Sequence, residues 1–232
     1  MKKFTLISLF LIFSLGINCQ TANKTNSSAR KGSNTEIRNG VVIDKTAQKI
    51  VNDVISQMKK DTPFSFSFTY DIKDEDGKIQ GKGTFLSNNS KYVVSADKFS
   101  NYSDGKTMWN YIKKSNEAEI TDAEDGNTMF NFVKIINTSA KNFRPKLIRQ
   151  EIFNNIKCNI VDLTPMKNGN ISKIRIYSSV TDNRLHKLEI STYSSSKYVY
   201  TFSNYNANKK ITDKDFVFDK TRFPGVKMID LR

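Results

Sequence analysis

Apolar and polar residues alternate along most of the chain, and this pattern predicts a protein built mainly from β-strands. The clearest run extends from Phe64 to Ile72, where every second residue is apolar and Ser, Thr or Asp lie between. Successive side chains of a strand point to opposite faces, so this strand has one aromatic and one polar face. Shorter alternating runs follow, separated by turn sequences such as Asp76-Gly77 and Asp104-Gly105. Together they predict a long antiparallel meander.

Two segments carry apolar residues at helical spacing instead. The first runs from Ile43 to Met58, with Asp44 as a candidate N-cap and Asp61-Thr62-Pro63 as its end. The second follows Asp125-Gly126-Asn127, with Thr128 as a candidate cap. Its apolar stripe consists of Met129, Phe132, Val133 and Ile136.

About ten strands in one sheet exceed what stays open and flat, so we expect the sheet to curl. The predicted fold class is mainly β (α+β). It is a strongly curled antiparallel sheet that forms an incomplete β-barrel, with helices covering its concave face. Residues 41–232 form this single domain. Residues 20–40 are polar, which predicts a disordered leader.

The first 19 residues have the composition of a signal peptide. A basic start is followed by the apolar run Phe4 to Ile17, which is short for a membrane span. Cys19 could instead carry a lipid, but Gly16 and Asn18 match a lipidation motif poorly. We therefore favour removal of residues 1–19 and an exported, soluble protein, with lipid anchoring at Cys19 as the less favoured alternative.

The formal net charge is +14 over 232 residues. Export argues against nucleic acid as a partner and favours an anionic membrane surface, an acidic partner or solubility alone. The single histidine, His186, lies mid-strand without a partner motif, and no nucleophile, phosphate-loop or zinc signature is present. We therefore predict no enzyme activity, no catalytic residues, no cofactor and no metal site.

Several motifs resemble the LolA family of outer-membrane lipoprotein carriers. The first is Ser103-Asp104-Gly105-Lys106-Thr107-Met108-Trp109-Asn110-Tyr111, a turn that enters a strand with Trp and Tyr two residues apart. Others follow in the family order at residues 125–128, 163–165, 168–170, 215–218 and 223–226. The resemblance covers about residues 43–232, and the ending at residues 228–232 is similar to the Bacteroidetes-type version.

The resemblance implies a periplasmic carrier that binds lipoprotein acyl chains in an apolar groove and transfers lipoproteins from the inner to the outer membrane. Its implied partners are lipid-modified proteins, an inner-membrane ABC-type release complex and an outer-membrane acceptor, and the carrier itself is a monomer. The candidate acyl-chain-binding residues are Phe66, Phe68, Tyr70, Phe85, Tyr92, Val94, Trp109 and Tyr111. The candidate lid residues are Met129, Phe132, Val133 and Ile136.

One departure from the family concerns the lid. Many members have an Arg-Pro pair just before the strand at Lys91, and its Arg pins the lid by hydrogen bonds. Here Asn88-Asn89 stands in that place, so this latch does not carry over. Three alternatives stay open: an envelope lipid-binding or sensing module on the same fold, an outer-membrane acceptor anchored by Cys19, and an aromatic face that is simply core. A fourth, an envelope hydrolase, has no catalytic constellation in the sequence to support it.

Overall fold

A computed structural model of the chain describes residues 34–38, 41–124 and 130–232. The predicted signal peptide, Cys19 and most of the predicted leader lie outside these residues. Within the leader, the described part differs from the predicted disorder, because Thr35–Arg38 forms a strand that pairs with Val41–Asp44.

The described residues are mainly β, as the alternating pattern predicted. The strands are β1 (Thr35–Arg38), β2 (Val41–Asp44), β3 (Phe64–Asp74), β4 (Gly77–Asn88), β5 (Lys91–Ala96), β6 (Phe99–Ser103), β7 (Thr107–Ile112), β8 (Glu117–Asp122), β9 (Phe143–Phe153), β10 (Ile156–Pro165), β11 (Ile171–Ser179), β12 (Leu185–Thr192), β13 (Lys197–Asn206) and β14 (Lys227–Asp230). The helices are α1 (Lys45–Asp61) and α2 (Phe132–Asn142), with short 3-10 helices at Asp213–Phe216 and Lys220–Arg222.

Among the described strands, β3 to β14 form one large sheet, and its order departs from a simple meander. The order is β14-β8-β7-β6-β5-β4-β3-β13-β12-β11-β10-β9, so β8 and β9 do not pair. Instead, the chain crosses from one side of the sheet to the other through α2, and β3 pairs with β13. Strand β14, which the sequence pattern did not reveal, adds to β8 in parallel. Two meanders are therefore joined along β3 and β13.

Helix α1 begins and ends as its sequence predicts. The Ala47 backbone N–H donates to the Asp44 carboxylate at 3.0 Å, which satisfies one of the free donors of the first turn. The second Asp44 oxygen accepts from the Leu147 N–H at 3.1 Å, and this bond ties the start of α1 to β9. Helix α2 begins at Phe132, where Asn131 caps it by accepting from the Lys134 N–H. The predicted cap, Thr128, lies outside the described residues.

Different segments of the chain pack on the two faces of the sheet. The helix-bearing face carries the large hydrophobic core, in which residues of α1 and α2 pack on β3, β5 and β10 to β13. The opposite face of β6 to β8 packs against the C-terminal segment, residues 213–230, through Phe218, Phe223 and Val226.

Two glycines of β4 allow aromatic rings of β3 to lie flat across the neighbouring strand. Gly81 pairs with Tyr70 and Gly83 pairs with Phe68, in a register that is continuous from Phe64 to Asp74. A Cβ atom at Gly81 would lie 2.4 Å from the Tyr70 hydroxyl oxygen. These glycines therefore make room for rings, and they mark no bulge in the β3–β4 pairing.

Replacement of Gly83 by Ala is expected to destabilise the protein by about 1–3 kcal/mol. The new Cβ would lie 2.6 Å from the Ser95 carbonyl oxygen and 2.8 Å from Cζ of Phe68, so either backbone or ring must shift. Urea unfolding measures the effect. Gly169→Ala is the control, since nothing lies within 4 Å of a Cβ there, and its change should stay within about 0.5 kcal/mol. Equal effects of the two substitutions would contradict the packing argument.

Candidate functional site

An aromatic wall on the helix-bearing face contains six of the eight residues predicted to bind acyl chains. Cross-strand pairs place Phe66 beside Phe85 and Phe85 beside Val94, so β3, β4 and β5 present one continuous surface. The six residues, Phe66, Phe68, Tyr70, Phe85, Tyr92 and Val94, are all buried. In this structure they are therefore packed under a cover and do not line an open groove.

Trp109 and Tyr111 do not belong to this wall, and the prediction that they share it is wrong. Met108 lies on the helix-bearing face with Tyr92, so its neighbours in β7 point the other way. Tyr111 packs against Phe218 and Phe223 of the C-terminal segment, with ring centroids 5.6 and 4.4 Å apart. Both faces of β7 carry apolar residues because both are covered, so alternation alone could not tell them apart.

The cover of the wall is the start of α2. Phe132 is fully buried, and it meets rings from three strands. Its ring centroid lies 5.6 Å from that of Phe66, 5.4 Å from Phe68, 5.3 Å from Phe85, 5.1 Å from Tyr200 and 5.0 Å from Phe202. Ile136 is also buried, Val133 is half-buried against the same core, and Met129 lies outside the described residues.

Phe130, which the sequence reasoning missed, also covers the wall. Its ring centroid lies 4.8 Å from that of Phe99 and 5.7 Å from that of Tyr70. It escaped notice because it precedes the helix and falls off the helical stripe. Phe130 and Phe132 therefore form a pair of rings, which we call the plug, that closes the aromatic wall.

Strand β13 supplies a further part of the wall that sequence reasoning did not name. Tyr198, Tyr200 and Phe202 alternate with polar residues as the β3 residues do, and Tyr200 pairs directly with Tyr70. The alternation was visible in the sequence. The pairing with β3, which makes these residues neighbours of the wall, was not.

Several polar atoms on the helix-bearing face have no ordinary hydrogen-bond partner within the described part of the chain. The Tyr200 hydroxyl is buried and unpaired, as are Asn101 Oδ1 and Thr121 Oγ1. The Tyr92 hydroxyl donates only to the sulfur of Met108, a weak acceptor, at 3.2 Å. Complete burial raises the pKa of Tyr200 well above its usual value, so this phenol stays protonated and can donate.

A buried ion pair fastens the end of α1 to the turn between β11 and β12. Arg184 Nε donates to one Asp61 oxygen at 3.0 Å and Nη2 to the other at 3.3 Å, while Gln57 donates to the second at 2.9 Å. The guanidinium also stacks over the Tyr205 ring at 4.7 Å. Burial raises the pKa of Asp61, but the bonds from Arg184 and Gln57 outweigh it and hold this pKa below its ordinary value.

The position of the family's Arg-Pro pair lies in the β4–β5 hairpin turn. Asn89 adopts a left-handed backbone with φ of 58°, which Asn tolerates better than most residues. Asn88 pairs with Lys91, and its side chain accepts from the Asn89 amide at 3.2 Å. Asn88 and Asn89 thus stabilise the turn. The ion pair that holds a helix to the sheet is instead the one between Asp61 of α1 and Arg184.

Among the described residues, no group of three or more His, Cys, Asp or Glu side chains is placed to hold a metal ion. No helix in the described part of the chain is both long and apolar enough to cross a bilayer. His186 is half-buried, and burial lowers its pKa. Cys158 is buried and forms no disulfide.

No protein-family model and no curated protein matches this chain. Among solved structures, an uncharacterized conserved protein from Thermus thermophilus is similar, with a TM-score of 0.54, 10% identity and coverage of 80% of this chain and 99% of that one. This likeness shows a shared fold. It says nothing about activity.

Two looser structural likenesses carry functional names. A putative outer membrane lipoprotein-sorting protein domain from Vibrio parahaemolyticus has a TM-score of 0.43 at 10% identity, covering 77% of this chain and 98% of that one. A LolA superfamily protein from Nitrosomonas europaea has a TM-score of 0.39 at 13% identity, covering 75% and 98%.

Proposed function

We propose that this protein is a periplasmic carrier that binds the acyl chains of lipid-modified proteins on its helix-bearing face. The observation that carries the proposal is the plug: two phenylalanine rings from one short segment cover a wall of rings from β3, β4 and β13. Because the wall is buried under these two rings, an acyl chain reaches it only when the plug leaves.

The plug is suited to leave because it is a small part of a large core. Phe130 precedes α2 and Phe132 is its first residue, while the helix as a whole contacts α1, β9 and β10. Rings of the plug and acyl chains are both apolar, so an acyl chain can take their place without exposing the wall to water. Each methylene group moved from water into such a site contributes about 0.8 kcal/mol.

A curled sheet fits this arrangement better than a flat one. Helix α2 contacts β9 and β10 near one edge, while its first residue packs on β3, β4 and β13 in the middle of the sheet. Twelve strands exceed what stays open without curling. We infer an incomplete β-barrel whose concave surface is the helix-bearing face, with α1 and α2 inside it.

The remaining parts of the proposal follow from the sequence. The predicted signal peptide supports export to the periplasm. The resemblance to the LolA family implies that the carrier takes lipoproteins from an inner-membrane ABC-type release complex and delivers them to an outer-membrane acceptor. It acts as a monomer, without a cofactor, catalytic activity or a nucleic-acid partner. Mass measurement of the mature N-terminus separates this soluble carrier from an acceptor anchored by a lipid on Cys19.

Native mass spectrometry of protein purified from its host is expected to show a bound lipoprotein or acyl lipid. Val133→Glu should weaken this capture at least tenfold while lowering the free energy of unfolding by less than about 1 kcal/mol. The reason is that Val133 is half-buried next to Phe132, where a carboxylate can reach water in the free protein but would lose hydration beside a bound acyl chain.

Lys134→Glu is the matched control. Lys134 is the next residue, exposed on the outer side of α2, so the same acidic side chain there should leave capture unchanged. Absence of any acyl ligand from wild-type protein, also after incubation with a diacylated lipopeptide, would rule the carrier function out. Equal loss of capture in the two variants would show that charge, not the plug, controls binding.

A further inference from the structure

Tyr200 lies at the centre of the covered wall. Strand β13 places it between Leu188 of β12 and Tyr70 of β3. Its side chain is 0% exposed, and its ring centroid lies 5.6 Å from that of Phe130 and 5.1 Å from that of Phe132. The two rings of the plug are therefore direct neighbours of Tyr200.

No atom of the described residues hydrogen-bonds to the Tyr200 hydroxyl in this covered state. Buried hydroxyls are normally paired, and leaving one unpaired costs free energy that a phenylalanine at the same place would avoid. Phe64, Phe66 and Phe68 show that the strands of this wall accept phenylalanine readily. A tyrosine at position 200 therefore points to a partner that arrives with a ligand.

We propose that the Tyr200 hydroxyl donates a hydrogen bond to the ester carbonyl of a bound acyl chain once the plug has left. This proposal rests on the proposed function, because only a ligand that displaces Phe130 and Phe132 reaches the hydroxyl. A phenol that stays protonated is a donor, so the ligand supplies an acceptor.

The surroundings of Tyr200 select a neutral acceptor. Its neighbours among the described residues are uncharged: Phe130, Phe132 and Leu188 are apolar, and burial raises the pKa of the Tyr70 and Tyr198 phenols, which therefore stay neutral. An ionised carboxylate loses its hydration there at a cost of several kcal/mol, whereas an ester carbonyl needs only one donor. The site thus favours O-acylated lipids over free fatty acids. It also favours them over ether lipids, which have no carbonyl oxygen to accept the hydrogen bond.

Displacement of a bound fluorescent apolar dye tests this with two ligands that differ only in the carbonyl. Wild-type protein is expected to bind 1-monopalmitoylglycerol about fivefold to tenfold more tightly than 1-O-hexadecylglycerol. Tyr200→Phe should reduce this preference to less than twofold. The affinities of palmitic acid and of a diacylated lipopeptide are measured in the same way. The lipopeptide, which has ester carbonyls, should bind more tightly than the free acid.

Tyr177→Phe is the matched control, since Tyr177 packs in a separate hydrophobic cluster and not in the large core with Tyr200. It should keep the preference for the ester. Tyr200→Phe should also melt at the same temperature as wild type or higher, because no bond is lost. A lower melting temperature, or failure to fold, would mean that the hydroxyl has a structural partner, and it would overturn the proposal.

The two proposals fail in different ways. If wild-type protein binds neither glyceride nor lipopeptide, the carrier function fails. If it binds the ester and the ether equally, or if Tyr200→Phe keeps the preference, the Tyr200 site is wrong and the carrier function stands. Infrared spectra of a ¹³C-labelled ester give a second readout, since hydrogen bonding should lower the carbonyl frequency in wild type and not in Tyr200→Phe.

Discussion

Phe132→Ala is expected to lower the free energy of unfolding by about 3–5 kcal/mol and, in the molecules that remain folded, to bind acyl chains more tightly than wild type. The stability loss follows from full burial among six aromatic rings, five from the sheet and that of Phe130. The gain in binding follows because an acyl chain then enters a space that no ring has to leave. Apolar cavities of this kind bind apolar ligands.

The measurement combines urea unfolding with titration of 1-monopalmitoylglycerol. Phe218→Ala is the control: Phe218 is buried on the opposite face, with its ring centroid 5.6 Å from that of Tyr102 and 4.8 Å from that of Phe223. It should lose stability by a similar amount and gain nothing in binding. If Phe132→Ala loses stability and binding together, Phe132 is core only and the plug is not a lid.

Arg184→Met is expected to lower the free energy of unfolding by about 3 kcal/mol. It leaves the Asp61 carboxylate buried, with Gln57 as its remaining side-chain donor. Loss of one partner of a buried pair costs about 3–5 kcal/mol. We expect the lower end because the Arg184 side chain is 31% exposed, and its charge is partly screened by solvent. Urea unfolding at pH 7 measures this loss.

The same variant has a defined pH dependence. Asp61 has a pKa below its ordinary value of 3.8 in the folded protein, so the pair stabilises the fold above that pH. As pH falls through the lowered pKa, Asp61 becomes protonated and the contribution is lost. The stabilities of wild type and Arg184→Met should therefore converge below about pH 3.8. A difference that stays constant down to pH 2 would show that packing of Arg184 on Tyr205 matters more than its charge.

Asp61→Asn is the companion variant, and the double variant closes a thermodynamic cycle. If the pair acts as a unit, the double variant should lose less stability than the two single losses added together. Additive losses would instead mean that Asp61 and Arg184 contribute through separate contacts. Since the pair joins α1 to the turn between β11 and β12, the cycle also measures how firmly α1 is held to the sheet.

The sequence by itself determined what depends on near neighbours. Alternation from Phe64 to Ile72 predicted β3 and its aromatic face, because the side-chain period of a strand is two. Asp44 predicted the start of α1, because a cap needs only the first-turn N–H groups. The same local patterns identified six residues of the wall and placed Phe132 and Ile136 on a helix that packs against it.

Only the tertiary structure decided which strands pair and which segment packs on each face of the sheet. The pairing of Tyr70 with Tyr200 joins residues far apart in the chain, and no local period predicts it. The same holds for Phe130, which covers the wall from outside the helical stripe, and for Asp61 with Arg184.

Trp109 and Tyr111 were placed on the wrong face for a related reason. Alternation gives two faces but does not say which one the helices cover, and the C-terminal segment covers the second. Register and cover depend on contacts between distant segments, whose free energy includes the closure of long loops and the packing of whole elements. Those terms are properties of the assembled sheet, and they decided where the aromatic wall lies and what closes it.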